Sequence, residues 1–279
     1  MPETSDRSAA ASALFHERAP EWLAAVARRM SRRAFDGQPA DAGLLDAMDA
    51  CCRGFRPYPD ARAVLVRAPE VDVFTGILGS YGKVTGSPHL LVFIADERGP
   101  FADQHIGFTG EGVVLEATRL GLDTCWIGGF FSADKVRRVI DLAEGERVYS
   151  VSPLGYASQS ASATEKAMRG MAGAKKRKCI EELAPGIGGA WPGWAVAAVE
   201  TARLAPSASN RQPWRFRLED RGLVVTKDSA FEMPKVTKRL DCGIAMLHAE
   251  LGALASDMLG VWTDLTGADV ARYDAAAVA

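Results

Sequence analysis

Apolar side chains recur at helical spacing from Glu21 to Arg33, where Trp22, Ala25, Val26, Arg29 and Met30 fall on one side, and this predicts an amphipathic helix. Asp41 stands where a cap belongs for a second helix carrying Leu44, Leu45 and Met48. Two short apolar runs, Ala63–Val66 and Leu90–Ala95, are of strand type, the second bounded by Gly86-Ser87-Pro88. Helical spacing returns from Asp103 to Leu120 through Ile106, Phe108, Val113, Val114 and Ala117. Gly121 follows as its C-cap, and Cys125-Trp126-Ile127 then enters another buried segment. Tyr156 to Lys176 changes character: small and polar residues without strand alternation predict a crossing connection.

Beyond that connection the pattern repeats. In the first part a basic segment, Arg28 to Arg33, leads to a helix, a Pro-rich turn at Pro57-Tyr58-Pro59 and a strand. In the second, Lys175–Lys178 leads through Glu181–Leu183 to a helix at Trp194–Leu204, a turn at Ala205–Pro213 and a strand at Trp214–Leu218. Asp103-Gln104-His105-Ile106 opens a helix ending at Leu120-Gly121; Asp241-Cys242-Gly243-Ile244 opens its counterpart, expected to end at Leu259-Gly260. The expectation is a duplicated α+β unit folding as a pseudo-dimer within one chain, each half a mostly antiparallel sheet flanked by helices. The divisions are an N-terminal extension at 1–20, a first half at 21–157, a connecting segment at 158–176 and a shorter second half at 177–279.

Composition narrows the classes. The chain has 279 residues, 48% hydrophobic and 24% charged, as globular proteins do. A chain of this size buries about 70–75% of its unfolded surface, enough to fold without a metal or disulfide staple. The formal net charge is −2, which gives no general attraction to nucleic acid or anionic membrane. The five cysteines are scattered without a C-x-x-C, and no metal site is expected. The adjacent pair Cys51-Cys52 reads as small hydrophobes of a helix, and a redox pair is the alternative. The start lacks a signal-peptide core, and no stretch reaches 18 apolar residues, so the expected location is the cytoplasm.

Generic motifs fail. Gly76 to Lys83 has the texture of a phosphate loop, but Ile77 stands where its first glycine belongs and Val84 where Ser or Thr should follow. Gly110-Glu111-Gly112 begins a dinucleotide pattern that Leu115 breaks, and Ser207 lacks a nucleophile-elbow context. Two other segments are more informative. Arg29, Ser31 and Arg33 alternate, so in an extended stretch all three share one face, two guanidiniums and a hydroxyl suited to a phosphate or a polar heterocycle edge. The same residues also read as a solvated basic helix end. Ala205-Pro206-Ser207-Ala208-Ser209-Asn210-Arg211-Gln212-Pro213-Trp214 is stiffened by two prolines and crowded with hydrogen-bonding side chains. It suits the edge of a pyrimidine-like ring, or else forms an elaborate turn bonded to its own backbone.

Together the segments resemble the nitroreductase family of FMN enzymes. Arg29 to Phe35 matches its R-x-S-x-R-x-F pattern, Ala205 to Trp214 its A-P-S-x-x-N-x-Q-P-W motif, and Leu120 to Phe130 its Leu-Gly turn and C-W-I-G-like strand. The order differs. In ordinary members the second motif follows the first closely, whereas here it lies in the second half, and Gly54 to Asp60 occupies its place. Family members bind FMN at a dimer interface with contributions from both subunits, so the resemblance implies that dimer fused into one chain, with one complete flavin site left. By resemblance Arg29 and Ser31 would hold the FMN phosphate and ribityl chain, and Arg33 would lie near the pyrimidine edge. Pro206, Ser207, Ser209 and Asn210 would pack on the ring from the other half. Gly128 and Gly129 would bring backbone to its reactive edge, while Arg177, with Lys175, Lys178 or Lys83, would complete the site. The implied activity is transfer of hydride from NADH or NADPH through FMN to a small nitroaromatic- or quinone-like acceptor by ping-pong kinetics, in a monomer. No side chain is expected to act as general acid or base; His105 and His248 read as structural or surface residues. The acceptor pocket is expected among Tyr81, Phe130, Phe131 and the segment Asp228–Lys238. A flavin-holding or sensing protein without nicotinamide turnover, or a flavin-free interaction protein, are the alternatives.

Overall fold

The computed structural model describes residues 8–74, 84–158, 176–220, 222–232 and 236–277. Helix α1 spans Ala9–Arg28, starting well before the predicted Glu21 and stopping short of Arg33. Ser8 explains the early start, since its hydroxyl accepts from the Ala11 amide at 3.2 Å, and Ala11, Phe15, Ala19 and Trp22 form a buried stripe. Helix α2, Ala42–Gly54, follows Asp41, which sits at the cap position without making the side-chain bond. Cys51 and Cys52 lie buried on it, and burial pushes the Cys52 thiol up to about 12, so they pack as small hydrophobes.

Strand β1, Ala61–Arg67, pairs antiparallel with β2, His89–Asp96. Helix α3, Ala102–Arg119, ends on Gly121 at φ +79°, the predicted cap. Strand β3, Asp123–Thr124, short helix α4, Ala133–Val136, and strand β4, Glu146–Gly155, complete the first half. Its sheet runs β1-β2-β4-β3. The unbroken apolar run in β2 is explained by cover on both faces: Leu91, Phe93 and Ala95 join the main core, while Leu90, Val92 and Ile94 join a smaller one with Val73, Val136 and Val148.

In the second half, helices α5, Ile180–Leu183, and α6, Gly193–Ala202, precede a 3₁₀ turn at Ala208–Asn210. Strands β5, Trp214–Glu219, and β6, Gly222–Lys227, lead to helix α7, Lys238–Leu254, and then to β7, Met258–Asp264, and β8, Asp269–Ala277. The order β5-β6-β8-β7 repeats that of the first sheet, and the equivalent strands β4 and β8 each carry a bulge, Tyr149 opposite Phe93/Ile94 and Val270 opposite Val225/Thr226. Helix α7 stops at Leu254 instead of the predicted Leu259-Gly260; Asp257 takes the left-handed turn at φ +56°, and Leu259-Gly260 is already strand.

The halves meet where α3 crosses α7. A Cβ on Gly107 would lie 2.1 Å from the Leu240 carbonyl oxygen, and one on Gly243 would lie 2.1 Å from that of Gln104. The two contacts are reciprocal, as a pseudo-twofold axis between duplicated helices requires. One continuous core joins both halves through this crossing.

Candidate functional site

Backbone pairing shapes the first segment. The Arg29 amide donates to Ala25 at 2.8 Å as the last bond of α1, and the chain then runs extended. Ser31 bridges Thr124 in parallel, the Arg32 amide donates to the Thr124 carbonyl at 2.9 Å, and on the other side the Thr85 amide donates to the Arg33 carbonyl and its carbonyl accepts from the Phe35 amide, both at 2.9 Å. Alternation along an extended arm puts Arg29, Ser31 and Arg33 on one face. The Arg29 side chain is only 7% exposed; its Nε lies 3.8 Å from Glu111 Oε1 and makes no hydrogen bond among the described residues.

The loop from the second half is held in a strained form. Ser209, Asn210 and Gln212 all take positive φ, +52°, +54° and +47°, in a region that non-glycine residues occupy only when surroundings over-determine them. Those surroundings are visible. The Ser207 hydroxyl accepts from the Gln212 amide at 2.9 Å, and Asp241, in the first turn of α7, accepts from the Ala208 amide at 3.1 Å and from Arg211 Nε at 2.8 Å. Burial pushes the Asp241 carboxyl up to about 6, against the pull of Arg211.

The same loop clamps the strand of chain that carries Arg177. Asn210 Nδ2 donates to the Lys176 carbonyl at 2.9 Å, and Gln212 Oε1 accepts from the Lys178 amide at 2.9 Å. Arg177 Nη1 in turn donates to Asn210 Oδ1 at 3.0 Å. Burial lowers the Arg177 pKa, and the positive charges of Arg29 and Arg203 lower it further. Guanidiniums from the first-half arm and from the second half thus converge where they repel one another, an arrangement that an anion relieves.

The remaining candidates are distributed as follows. Pro206 leads into the turn, and Gly128 and Gly129 follow Ile127, which pairs with Val151 of β4. A Cβ on Gly128 would lie 2.7 Å from Val236 Cγ2, so that glycine admits the second half, whereas nothing stands within 4 Å of one on Gly129. Lys83, Tyr81 and Lys175 lie outside the described residues, as do residues 233–235 of the expected pocket segment. Phe130 is exposed and Phe131 bridges Phe74. His105 and His248 are both buried in polar pairs, His105 between Asp60 and Asp264 and His248 against Glu111. Sequence reasoning missed Glu111 and Arg203. Glu111 was visible as an acid in the middle of an apolar helical pattern, but its partners Arg29, Trp126 and His248 come from three other segments. Among the described residues no group of His, Cys, Asp and Glu is arranged to hold a metal ion, and no helix is long and apolar enough to cross a membrane.

The family model described as "Putative TM nitroreductase" matches residues 21–253. A solved structure of a "putative nitroreductase" from Thermotoga maritima aligns with a TM-score of 0.55 at 21% identity, covering 91% of this chain and 93% of its own. An FMN-dependent nitroreductase from Clostridium difficile R20291 aligns over 48% of this chain and 87% of its own, with 18% identity and a TM-score of 0.39. A nitroreductase with bound FMN from Bacteroides fragilis covers 51% and 91%, with 20% identity and a TM-score of 0.40. A search of curated proteins found no match.

Proposed function

This chain belongs to the nitroreductase family, and on that premise we propose that it is an FMN-dependent oxidoreductase with one flavin site assembled from both halves. The observation that carries the reading is the convergence of Arg29 and Arg177, with Asn210 bonded to Arg177 at 3.0 Å. The residues fit a phosphate-bearing cofactor on two counts. Arg29 Nε is buried without a hydrogen-bond partner among the described residues, and burial, with the charges of Arg29 and Arg203 adding to it, depresses the Arg177 pKa, so a phosphate there would offset the repulsion.

When bound, FMN would supply the chemistry, accepting hydride from NADH or NADPH and returning it to a small nitroaromatic- or quinone-like acceptor. The chain's own residues bind and orient. Arg29 and Arg177 neutralise the phosphate, and Ser31 offers a hydroxyl to the ribityl chain. Arg33 would supply a positive charge towards the pyrimidine edge of the flavin. Pro206, Ser207, Ser209 and Asn210 close on the ring from the second half, and their pre-formed strained turn limits the ordering cost of binding. Gly129, with open space where a side chain would stand, leaves room for the reactive edge, and Gly128 keeps Val236 close beside it. Lys83 and Lys178 are further cationic candidates. No side chain serves as general acid or base. Donor and acceptor would use one face in turn, which makes the kinetics ping-pong. Fusion internalises the usual dimer contact, so the active species is a monomer.

The test is the visible spectrum of the purified chain with FMN, before and after anaerobic NADPH or NADH. Binding of about one FMN per chain, bleached by either nicotinamide, is expected from a single two-sided site. Flavin that binds and resists both nicotinamides would leave a flavin-holding protein, and no binding would overturn the site assignment.

A further inference from the structure

Glu111 sits at mid-length of α3, fully buried, beneath the arm that carries Arg29. Its Oε2 accepts from Trp126 Nε1 at 2.8 Å, and Trp126 lies immediately before Ile127-Gly128-Gly129. Its Oε1 accepts from His248 Nε2 at 2.9 Å and lies 3.8 Å from Arg29 Nε. His248 belongs to α7, on the other side of the half–half crossing, and its Nδ1 faces the Thr201 carbonyl on α6 at 3.3 Å. One carboxylate therefore touches the cationic arm, the glycine segment and the second half at once. A buried carboxylate is expensive unless fully bonded, and any of the simpler ways of filling this position with an apolar side chain would avoid that cost.

Resting on the flavin-site reading above, we propose that Glu111 is the positioning residue of the site. It fixes Arg29 and the Trp126–Gly129 segment at one depth, and His248 ties that assembly to the half that supplies Arg177 and the Ser207–Asn210 loop. A site divided between two halves binds only if both are held in register, and the α3–α7 crossing is where register is set.

The sign of one substitution separates positioning from plain electrostatics. The Glu111 carboxyl lies 3.8 Å from a guanidinium expected to bind a phosphate. If it were a bystander, Glu111→Gln would make the site more positive and tighten FMN binding. Positioning predicts the reverse, a loss of about tenfold in affinity, as coupled neighbours show. FMN affinity is to be measured by fluorescence quenching for the wild type, Glu111→Gln, Arg29→Ala and the double variant. The loss from Glu111→Gln should shrink in the Arg29→Ala background, by the part that acts through Arg29. The visible spectrum of bound flavin should also shift in Glu111→Gln, because the Trp126–Gly129 segment loses its anchor. His248→Gln, which spares the carboxylate, should show a smaller loss in the same direction and serves if Glu111→Gln does not fold. Unchanged or tighter binding by these variants, while Arg29→Ala weakens it, would overturn the proposal alone. An undiminished loss in the Arg29→Ala background would do the same. Wild-type protein that binds no FMN would instead overturn the flavin-site reading on which the proposal stands.

Discussion

Asn210 combines a backbone and a side-chain task, and the two can be separated by experiment. Its φ of +54° lies in the left-handed region, its Oδ1 accepts from Arg177 at 3.0 Å, and its Nδ2 donates to the Lys176 carbonyl at 2.9 Å. Asn210→Gly removes the side-chain bonds and relaxes the backbone, whereas Asn210→Ala removes the bonds and keeps the strain. The alanine variant should therefore be the less stable of the two by about 1 kcal/mol, read from urea denaturation. FMN affinity should fall by similar factors in both, because each removes the acceptor that orients Arg177 Nη1. Arg177→Ala removes the charge as well, and its affinity should drop roughly 10–100-fold, the worth of a charge-assisted hydrogen bond. Equal stability of the two Asn210 variants would show that the loop relaxes without its asparagine.

Among the elements, the crossing of α3 and α7 does most to fix the fold, and it depends on two glycines. A methyl on Gly243 would stand 2.1 Å from the Gln104 carbonyl oxygen, backbone that cannot turn aside. Gly243→Ala should cost about 3 kcal/mol or more, with helix content preserved, because forcing the helices apart strips contact along both. Circular dichroism during thermal unfolding would show it; a change within about 0.5 kcal/mol, the range of ordinary surface substitutions, would mean that the helices shift freely. The sequence marked these helices through Ile106, Phe108, Val113 and Ile244, since apolar spacing carries period. It marked the strand pair at Ala63–Val66 and Leu90–Ala95 as well. It did not disclose β4, β6, β7 or β8, nor the start of α1. In β8 charged Asp269, Arg272 and Asp274 break the apolar run, because Asp269 pairs with Arg217, and Arg272 with Glu219 and Asp274, on the sheet's outer face. Of the site, both motifs were legible, because their chemistry is local. Glu111 and Arg203 were not, since what singles them out is proximity to residues of other segments, Arg29 for Glu111 and Arg177 for Arg203.

At the scale of the whole molecule, the duplication has kept an anchor at equivalent places and changed its chemistry. Asp241 stands two residues before the crossing glycine Gly243 and grips Arg211 in the loop ahead of β5; His105 stands two residues before Gly107 and grips Asp60 in the loop ahead of β1. His105 does more, because its Nε2 also reaches Asp264 of the second half at 2.9 Å. Tyr58 stacks on the ring at 3.9 Å, and Gln104, held by Arg239, donates to the same Asp264. The clamp thus joins the halves at the end of the crossing away from Glu111. Burial disfavours the imidazolium, but the hydrogen bonds to Asp264 and Asp60 outweigh it and raise the His105 pKa above the ordinary 6.5. A group whose pKa is raised on folding stabilises fully below its unfolded value and loses that contribution as pH rises through its folded one. The loss therefore falls above pH 6.5. Two other buried groups act in other windows. Asp241, raised from 3.8 to about 6, loses its contribution between those values, and His89, whose pKa burial and Arg67 lower, acts below 6.5. Thermal midpoints of the full chain should then fall as pH rises above 6.5, and His105→Gln, which keeps a donor towards one aspartate but cannot titrate, should flatten that slope. The same slope in His105→Gln would mean that the clamp titrates elsewhere and that the halves are held at this end by packing alone.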